Sequence, residues 1–182
     1  MDRRYGTYSE IIQEKLHEKE LEESQCNRKL SSQRELLKRE EIELLNCEGR
    51  ILNLNTKKTL LTTLYNQLAY VKAKFFYIKV LLNSLETNIN NLGRGNLIDE
   101  EKRIIETKRD KLGEKEQEIS SVLSAINETL ESIKKDLEKE ELKKTNLGID
   151  IKNREKTIDE LKVELNGIMS EIAELKKLLW TD

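Results

Sequence analysis

The chain of 182 residues has no proline, one histidine, two cysteines and few aromatic residues. Without proline, helices can run uninterrupted for tens of residues. One histidine and two distant cysteines are too few ligands for a transition-metal site within one chain. The longest apolar run, Phe75 to Leu82, is interrupted by Lys79 and is far shorter than a membrane span. These absences argue against a metalloprotein and against a membrane-spanning chain.

Charged residues make up 37% of the chain and hydrophobic residues 36%. That balance is typical of long helices and coiled coils rather than of a globular core. The net charge of −2 gives no overall field that would attract nucleic acid or a membrane. The first residues lack the apolar segment of a secretory signal. We therefore expect an intracellular protein, in the cytoplasm or the nucleus.

Apolar residues in the second half repeat at alternating intervals of three and four, which defines the d and a columns of a heptad seam. The d column is Ile105, Leu112, Ile119, Ile126, Ile133, Glu140, Leu147, Arg154, Leu161, Ile168 and Leu175. The a column is Leu123, Leu130, Leu137, Lys144, Ile151, Ile158, Leu165, Ile172 and Leu179. The frame holds to Leu179 without a skip and predicts one long helix.

The first half carries a seam with one fault. The predicted seam of its later part is Leu61, Leu64, Leu68, Val71, Phe75, Ile78, Leu82, Leu85, Ile89 and Leu92. Upstream, one column continues as Leu54, Cys47, Glu40, Gln33 and Cys26, and the other becomes Ile51, Leu44, Leu37 and Leu30. An interval of three is therefore repeated near residues 58–64, which predicts a stammer, a local change of winding.

The two seams are separated by the one dense cluster of helix breakers in the chain. Gly93 or Gly95 can supply the positive-φ residue that closes a helix, and Asp99 suits the first turn of the next helix. A capping-box pattern, Thr7 to Glu10, precedes the first helix. The predicted organisation is an N-terminal tail 1–7, a first helix 8–91, a turn 92–96 and a second helix 97–181.

Two helices of equal length joined by a short turn can pair antiparallel along their whole extent. Seam residues whose numbers add to 187 then face each other, for example Leu82 with Ile105 and Leu68 with Ile119. The fold class is therefore predicted to be all-α, a long antiparallel helical hairpin of the coiled-coil type within a larger helical bundle or hetero-oligomer. A parallel dimer with a hinge at 92–96 is the alternative that the seams alone leave open.

The residues that usually carry out catalysis form no recognisable pattern. His17 begins a His-Glu-Lys-Glu-Leu stretch that lacks the second histidine of a zinc helix. The glycines match no phosphate-binding motif, and the carboxylates lie along solvated helix faces. We expect no enzymatic activity and no catalytic, cofactor or metal site. Cys26 and Cys47 fall on one seam column and are interpreted as small core residues, with a regulatory thiol as the alternative.

The segment 49–85 has no acidic residue and six basic ones, and it holds five of the aromatic residues. It offers apolar side chains beside its seam, whereas the facing helix carries charges at Lys102, Arg109 and Glu116. An apolar surface that the second helix leaves uncovered would mark an interface. The residues expected to bind a partner are Leu60, Tyr65, Ala69, Tyr70, Ala73, Phe76, Tyr77, Val80 and Leu81, together with Lys72 and Lys79.

These patterns favour a non-enzymatic structural or scaffolding subunit that joins or spaces partners in a multiprotein assembly. In composition and length the chain resembles small coiled-coil subunits of eukaryotic kinetochore, spindle and tethering complexes. We expect its partners to be other coiled-coil proteins or a second copy of itself, rather than nucleic acid or a membrane. An adaptor that uses segment 49–85 to associate with nucleic acid or a membrane is the alternative function.

Overall fold

The computed structural model describes residues 3–93 and 95–181, with side chains placed for 8–93, 95 and 97–180. Helix α1 is Arg3–Asn91 and helix α2 is Asn96–Thr181. The described residues contain no strand. The two helices pack against each other antiparallel, because contacts pair rising residue numbers in α1 with falling numbers in α2. The predicted helical hairpin is confirmed.

Helix α1 begins earlier than the sequence pattern predicts. It starts at Arg3, so most of the predicted tail 1–7 is helical and the capping box at Thr7 does not start the helix. Gly6 is the one weak helix former in this stretch, and a single glycine costs only about 1 kcal/mol relative to alanine. Helix α2 begins at Asn96, one residue before its predicted start.

The turn between the helices uses its two glycines differently. Gly93 has a φ of 102° and is the positive-φ residue that ends α1. The carbonyl oxygen of Gly95 accepts hydrogen bonds from the backbone N–H groups of Ile98 and Asp99, at 2.9 and 3.1 Å. Gly95 thereby starts the hydrogen-bond ladder of α2, and the Asp99 carboxylate lies in the first turn, where it interacts favourably with the helix dipole.

The chain forms two compact units. Unit 1 combines the part of α1 up to Gly49 with the part of α2 from Glu141. Its core is built around Cys26, Ile168 and Ile172, with Leu161 and Leu165 packed against them. The Cys26 thiol points at the Leu161 carbonyl oxygen, with 3.5 Å between sulfur and oxygen. Both helices contribute buried residues to this unit.

Unit 2 is Arg50–Glu140, and its burial is asymmetric. Its buried hydrophobic residues all come from α2: Ile105, Leu123, Ile126, Ile133 and Leu137. Helix α1 contributes half-buried residues at intervals of seven: Leu54, Leu61, Leu68, Phe75, Leu82 and Ile89. Among the described side chains of α1, the fully buried hydrophobic ones all lie in unit 1. In unit 2, α1 therefore keeps much of its apolar surface exposed.

The predicted seam of α2 is correct at all but one position. Every residue of its two columns is at least half-buried except Lys144. The upstream columns of α1, including Leu30, Cys47 and Ile51, are also on the seam. Along α2 and the first half of α1, heptad periodicity alone was enough to identify the residues that face the other helix.

The predicted stammer in α1 is wrong. The a column continues from Leu30, Leu37, Leu44 and Ile51 at unbroken intervals of seven through Lys58 to Tyr65, Lys72, Lys79 and Glu86. From Tyr65 onward these residues are half-buried, whereas Leu64, Val71, Ile78, Leu85 and Leu92, which were predicted to form the seam, are exposed. One heptad frame therefore serves the whole of α1, with polar residues in its a column near the turn.

Candidate partner-binding face

Two ion pairs join the helices of unit 2 at a positions of the seam. Arg109 donates a hydrogen bond of 2.6 Å to the Glu86 carboxylate, and Lys79 donates one of 2.8 Å to the Glu116 carboxylate. The side chains of all four residues are between 23 and 33% exposed. Opposite charges therefore fill positions that apolar residues usually occupy in a coiled coil.

These pairs explain why the side of α1 that faces α2 in unit 2 differs from the predicted one. The second helix carries charge at Arg109 and Glu116, and packing Val71 and Ile78 against them would bury the charges without partners at a high cost. Turning the a column of α1 inward supplies Glu86 and Lys79 as partners instead. This packing leaves the side chains of Leu64, Val71, Ile78 and Leu85 between 38 and 47% exposed.

The residues predicted to bind a partner divide into two groups. Tyr65, Lys72 and Lys79 are half-buried on the seam, where Lys79 bonds Glu116. The others lie outside the a and d columns: Leu60, Ala69, Tyr70, Ala73, Phe76, Tyr77, Val80 and Leu81. All of this second group except half-buried Ala69 are exposed. The structure therefore brings most of the predicted residues together on the outer side of α1 and turns three of them toward α2.

Aromatic side chains are prominent on this outer side. Phe76 and Tyr77 are 63 and 61% exposed, and Tyr70 is 63% exposed. The ammonium group of Lys74 lies 5.1 Å from the centre of the Tyr70 ring, within cation–π range. With the exposed leucine, valine and isoleucine residues of 60–92, they form an apolar and basic surface that we call the outer face of α1.

Five exposed residues of the outer face were missed as candidates because they were placed on the seam: Leu64, Val71, Ile78, Leu85 and Leu92. A signal for them was present in the sequence. The a column at Ile51 continues in steps of seven to Lys72, Lys79 and Glu86, whose charges complement Glu116 and Arg109 of the other helix. Charge complementarity across a hairpin register would have identified the true seam.

Unit 1 has its own polar cluster on the seam. Arg154 donates hydrogen bonds of 2.7 Å to the Glu40 carboxylate, through Nε, and to the side-chain oxygen of Gln33. The numbers of Arg154 and Gln33 add to 187, so the facing predicted for such seam residues is confirmed at this pair. The guanidinium group lowers the pKa of the Glu40 carboxyl, and the carboxylate raises the pKa of Arg154. All three guanidinium nitrogens of Arg154 donate to an acceptor within this cluster, as a register-setting polar layer requires.

Other seam charges are paired in the same way. Lys144 bonds Glu48 at 2.8 Å, and that carboxylate raises the pKa of the lysine. Lys79 lowers the pKa of Glu116 through its hydrogen bond. In each case the neighbour favours the charged form, so the perturbed groups hold the helices together.

The described residues offer little for chemistry. They include no group of three His, Cys, Asp or Glu side chains placed to hold a metal ion. A surface depression of about 380 Å³ in unit 1 is lined mainly by charged residues, including Lys19, which bonds both Glu22 and Glu171. Over the part of the chain that is described, neither helix contains an apolar stretch sufficient to cross a membrane. The outer face of α1 is the most distinctive candidate surface.

No protein-family model, curated protein or solved structure matches this chain. The function is therefore argued from the geometry of the hairpin and of the outer face. The relevant geometry is the contrast between a seam held by charges and an exposed surface rich in large apolar residues.

Proposed function

We propose that this protein is a non-enzymatic scaffolding subunit that joins or spaces partners within a multiprotein assembly, of the kind found in kinetochore, spindle or tethering complexes. The observation that supports the proposal is the outer face of α1. Its apolar residues are exposed over many turns while the seam beside them carries charge. A face of this size marks an interaction surface.

The expected binding energy is substantial. Burying one large apolar side chain contributes about 1.5–3 kcal/mol, so Phe76, Tyr77 and Val80 alone could support a stable contact. Their α-helical backbone is ordered before binding, so the partner meets a preformed surface. Catalysis, by contrast, needs a partly dry cleft, which a surface of this kind does not provide.

The test uses the full chain, tagged and purified from cells with whatever it binds, and washed in about 1 M NaCl, where the screening length is about 3 Å. Subunit stoichiometry is measured by mass spectrometry. The variant Phe76→Ser, Val80→Ser, Leu81→Ser removes three outer-face residues. The control variant Leu142→Ser, Val163→Ser, Met169→Ser removes three side chains that are 63, 72 and 51% exposed on unit 1.

A scaffolding subunit should retain partners at fixed stoichiometry through the wash, lose them in the outer-face variant and keep them in the control. Equal helix content by circular dichroism shows that both variants fold. Absence of any stoichiometric partner, or equal loss in both variants, would contradict the proposal. If the salt wash releases all partners, and nucleic acid or lipid is found with the chain at low salt, the adaptor function is supported instead.

A further inference from the structure

A second set of heptad columns runs along the outer face of α1. Its apolar members, at intervals of three, four and seven, are Leu60, Leu64, Val71, Ile78, Leu81, Leu85 and Leu92. All seven side chains are exposed. We call these residues the outer seam. It extends for about four and a half heptads, which exceeds the three to four that indicate a coiled coil.

The spacing of the outer seam indicates the shape of its occupant. An average interval of 3.5 residues keeps apolar side chains on one line only when two helices wind around each other. The stripe is also narrow, since Gln67, Lys74 and Asn88 fill its remaining column positions. A helix lying in a membrane surface needs a broad continuous apolar face instead. The geometry therefore calls for another long α-helix.

Charge defines what that helix must carry. Lys57 and Lys74 occupy column positions of the outer seam, and within the part of the chain that is described neither has a carboxylate within salt-bridge distance. The ammonium group of Lys74 instead lies over the Tyr70 ring. No acidic residue occurs in α1 between Glu48 and Glu86. A helix that packs here therefore meets lysines of α1 at two column positions and no carboxylate of α1 before Glu86.

Two lysines of α2 border the groove beside the outer seam, and one of them, Lys115, bonds Glu118 of its own helix at 2.7 Å. In unit 1, Glu43 and Lys143 lie 2.6 Å apart at the position just before the a column of each helix. In unit 2, the same heptad position of α1 is occupied by the exposed outer-seam residues Val71 and Ile78. The corresponding position of α2 is occupied by Lys115 and Lys108. The groove beside the outer seam is thus bordered by lysines from both helices.

A second copy of the chain fits this seam poorly. Two outer seams packed in parallel would place Lys74 against Lys74, and packed antiparallel they would set two lysine-rich flanks side by side. Like charges at such positions disfavour a coiled-coil pairing, whereas opposite charges select the partner. The charge pattern therefore favours a different chain with acidic flanking positions.

We propose that the outer seam takes a third long α-helix from another protein, with apolar residues in heptad columns and glutamate or aspartate at its flanking positions. The inference rests on the proposed function, because it specifies the partner of a scaffolding surface. Binding would convert the two-helix packing of unit 2 into a three-helix bundle. The acidic flanks would neutralise Lys57, Lys74 and Lys108.

The test uses two synthetic helical peptides of about five heptads. Both have Ile and Leu at a and d; one carries Glu at every e and g position, and the other carries Lys there. Binding to the full chain is measured by fluorescence anisotropy at about 0.1 M salt. We expect the Glu peptide to bind one to one, at least about tenfold more tightly than the Lys peptide, with the difference shrinking as salt rises.

Variants locate the contact. Leu64→Gln, Ile78→Gln alters two outer-seam side chains, and the control Leu142→Gln, Val163→Gln alters two exposed side chains of unit 1. We expect the first variant to lose at least about tenfold in affinity for the Glu peptide and the second to change it less than about twofold. All four positions are exposed, so circular dichroism and thermal unfolding should match the parent chain.

Several results would overturn the inference. The inference fails if neither peptide binds, if both bind with equal affinity, or if the unit 1 control variant weakens binding more than the outer-seam variant does. Light scattering measures whether the chain self-associates. Self-association that is lost in the Leu64→Gln, Ile78→Gln variant would identify a second copy as the occupant. The chain is also sedimented with vesicles of phosphatidylcholine and phosphatidylserine. If it binds the vesicles and the same variant does not, the occupant is a lipid surface. If neither peptide binds but the purified assembly loses its partners in the Phe76→Ser, Val80→Ser, Leu81→Ser variant, scaffolding stands while the acidic-helix inference falls.

Discussion

Arg109 of α2 and Glu86 of α1 are joined by a hydrogen bond of 2.6 Å at a positions of the seam. The side chains are 33 and 25% exposed, so the pair is partly shielded from water. Together with Lys79 and Glu116, it determines which side of α1 meets α2 in unit 2. The same choice leaves the apolar outer seam exposed.

The Glu86–Arg109 pair should show a measurable coupling energy. Because both groups are partly exposed and screened by solvent, we expect Glu86→Arg or Arg109→Glu each to destabilise the chain, and the double reversal to recover about 0.5–1 kcal/mol. Urea unfolding of the four proteins gives the double-mutant cycle. Lys156 and Glu160, 3.7 Å apart and mostly exposed, provide a control cycle with a coupling near zero. Equal coupling in both cycles would mean that the seam pair does not orient α1.

The Arg154 cluster should contribute register more than stability. Replacing Arg154 with Leu leaves Glu40 without its cation, and we expect a loss of about 1–3 kcal/mol. Replacing Arg154, Glu40 and Gln33 together with Leu should restore stability or raise it, because apolar residues fill the layer without a desolvation cost. Chemical denaturation measures both. A triple variant that remains as unstable as the single one would show that the polar layer is intrinsically stabilising.

Stability should fall in acid through Glu40 and Glu116. Hydrogen bonds from Arg154 and Lys79 lower the folded-state pKa of these carboxyls below the ordinary value of 4.5. Their contribution is therefore present above pH 4.5 and lost as pH falls through the lowered values. The midpoint temperature of thermal unfolding should be nearly constant from pH 7 to about 5 and should fall below pH 4.5. The Lys79→Met, Arg154→Met variant should decline less; an unchanged acid limb would contradict the assignment.

Stability should also fall at alkaline pH, through the pair formed by Lys144 and Glu48. Glu48 raises the pKa of Lys144 above 10.5, so the contribution of this pair is present below that value and lost as pH rises through the raised one. Replacing Lys144 with Met should remove that part of the alkaline decline in thermal unfolding. The acid limb below pH 4.5 should be unaffected by this substitution.

Gly93 should tolerate substitution less well than Gly95. A side chain at Gly93 must adopt a φ near 102°, which costs roughly 1 kcal/mol or more for alanine. At both glycines an added Cβ would meet no atom within 4 Å, so steric contact does not confuse the comparison. We expect Gly93→Ala to lower the unfolding midpoint and Gly95→Ala to lower it less. Equal effects would indicate that the turn readily adopts another conformation.

Both cysteines should react slowly with thiol reagents while the chain is folded. Cys47 is fully buried and Cys26 is 2% exposed, so a reagent reaches them only when the helices separate locally. A serine-to-cysteine control at exposed Ser121 should be labelled at once. Labelling of Cys26 or Cys47 as fast as that control would mean that the helices of unit 1 open readily.

Most of the fold follows from local and periodic features of the sequence. The absence of proline, the glycines at the turn and the continuous a and d columns of α2 predict two long helices in a hairpin. These features act along one helix, so they can be recognised without knowing what lies opposite. The same reasoning correctly places Leu30, Cys47 and Ile51 on the seam.

The side of α1 that faces α2 near the turn could not be predicted in that way. From Leu61 onward, the column that includes Leu68 and Phe75 is flanked by two candidate partner columns at heptad spacing. One is apolar, with Val71 and Ile78, and the other holds Lys72, Lys79 and Glu86. Hydrophobicity alone selects the apolar column. Only the facing helix, with its charges at Arg109 and Glu116, favours the polar one.

Helix propensity and heptad spacing are properties of a single segment, so they predict that the chain is helical, where it turns and which residues of α2 face inward. Which apolar stripe of α1 stays exposed depends instead on the charges of the facing helix. The physical reason is that an unpaired charge in a partly buried seam costs more than leaving leucine, valine and isoleucine exposed.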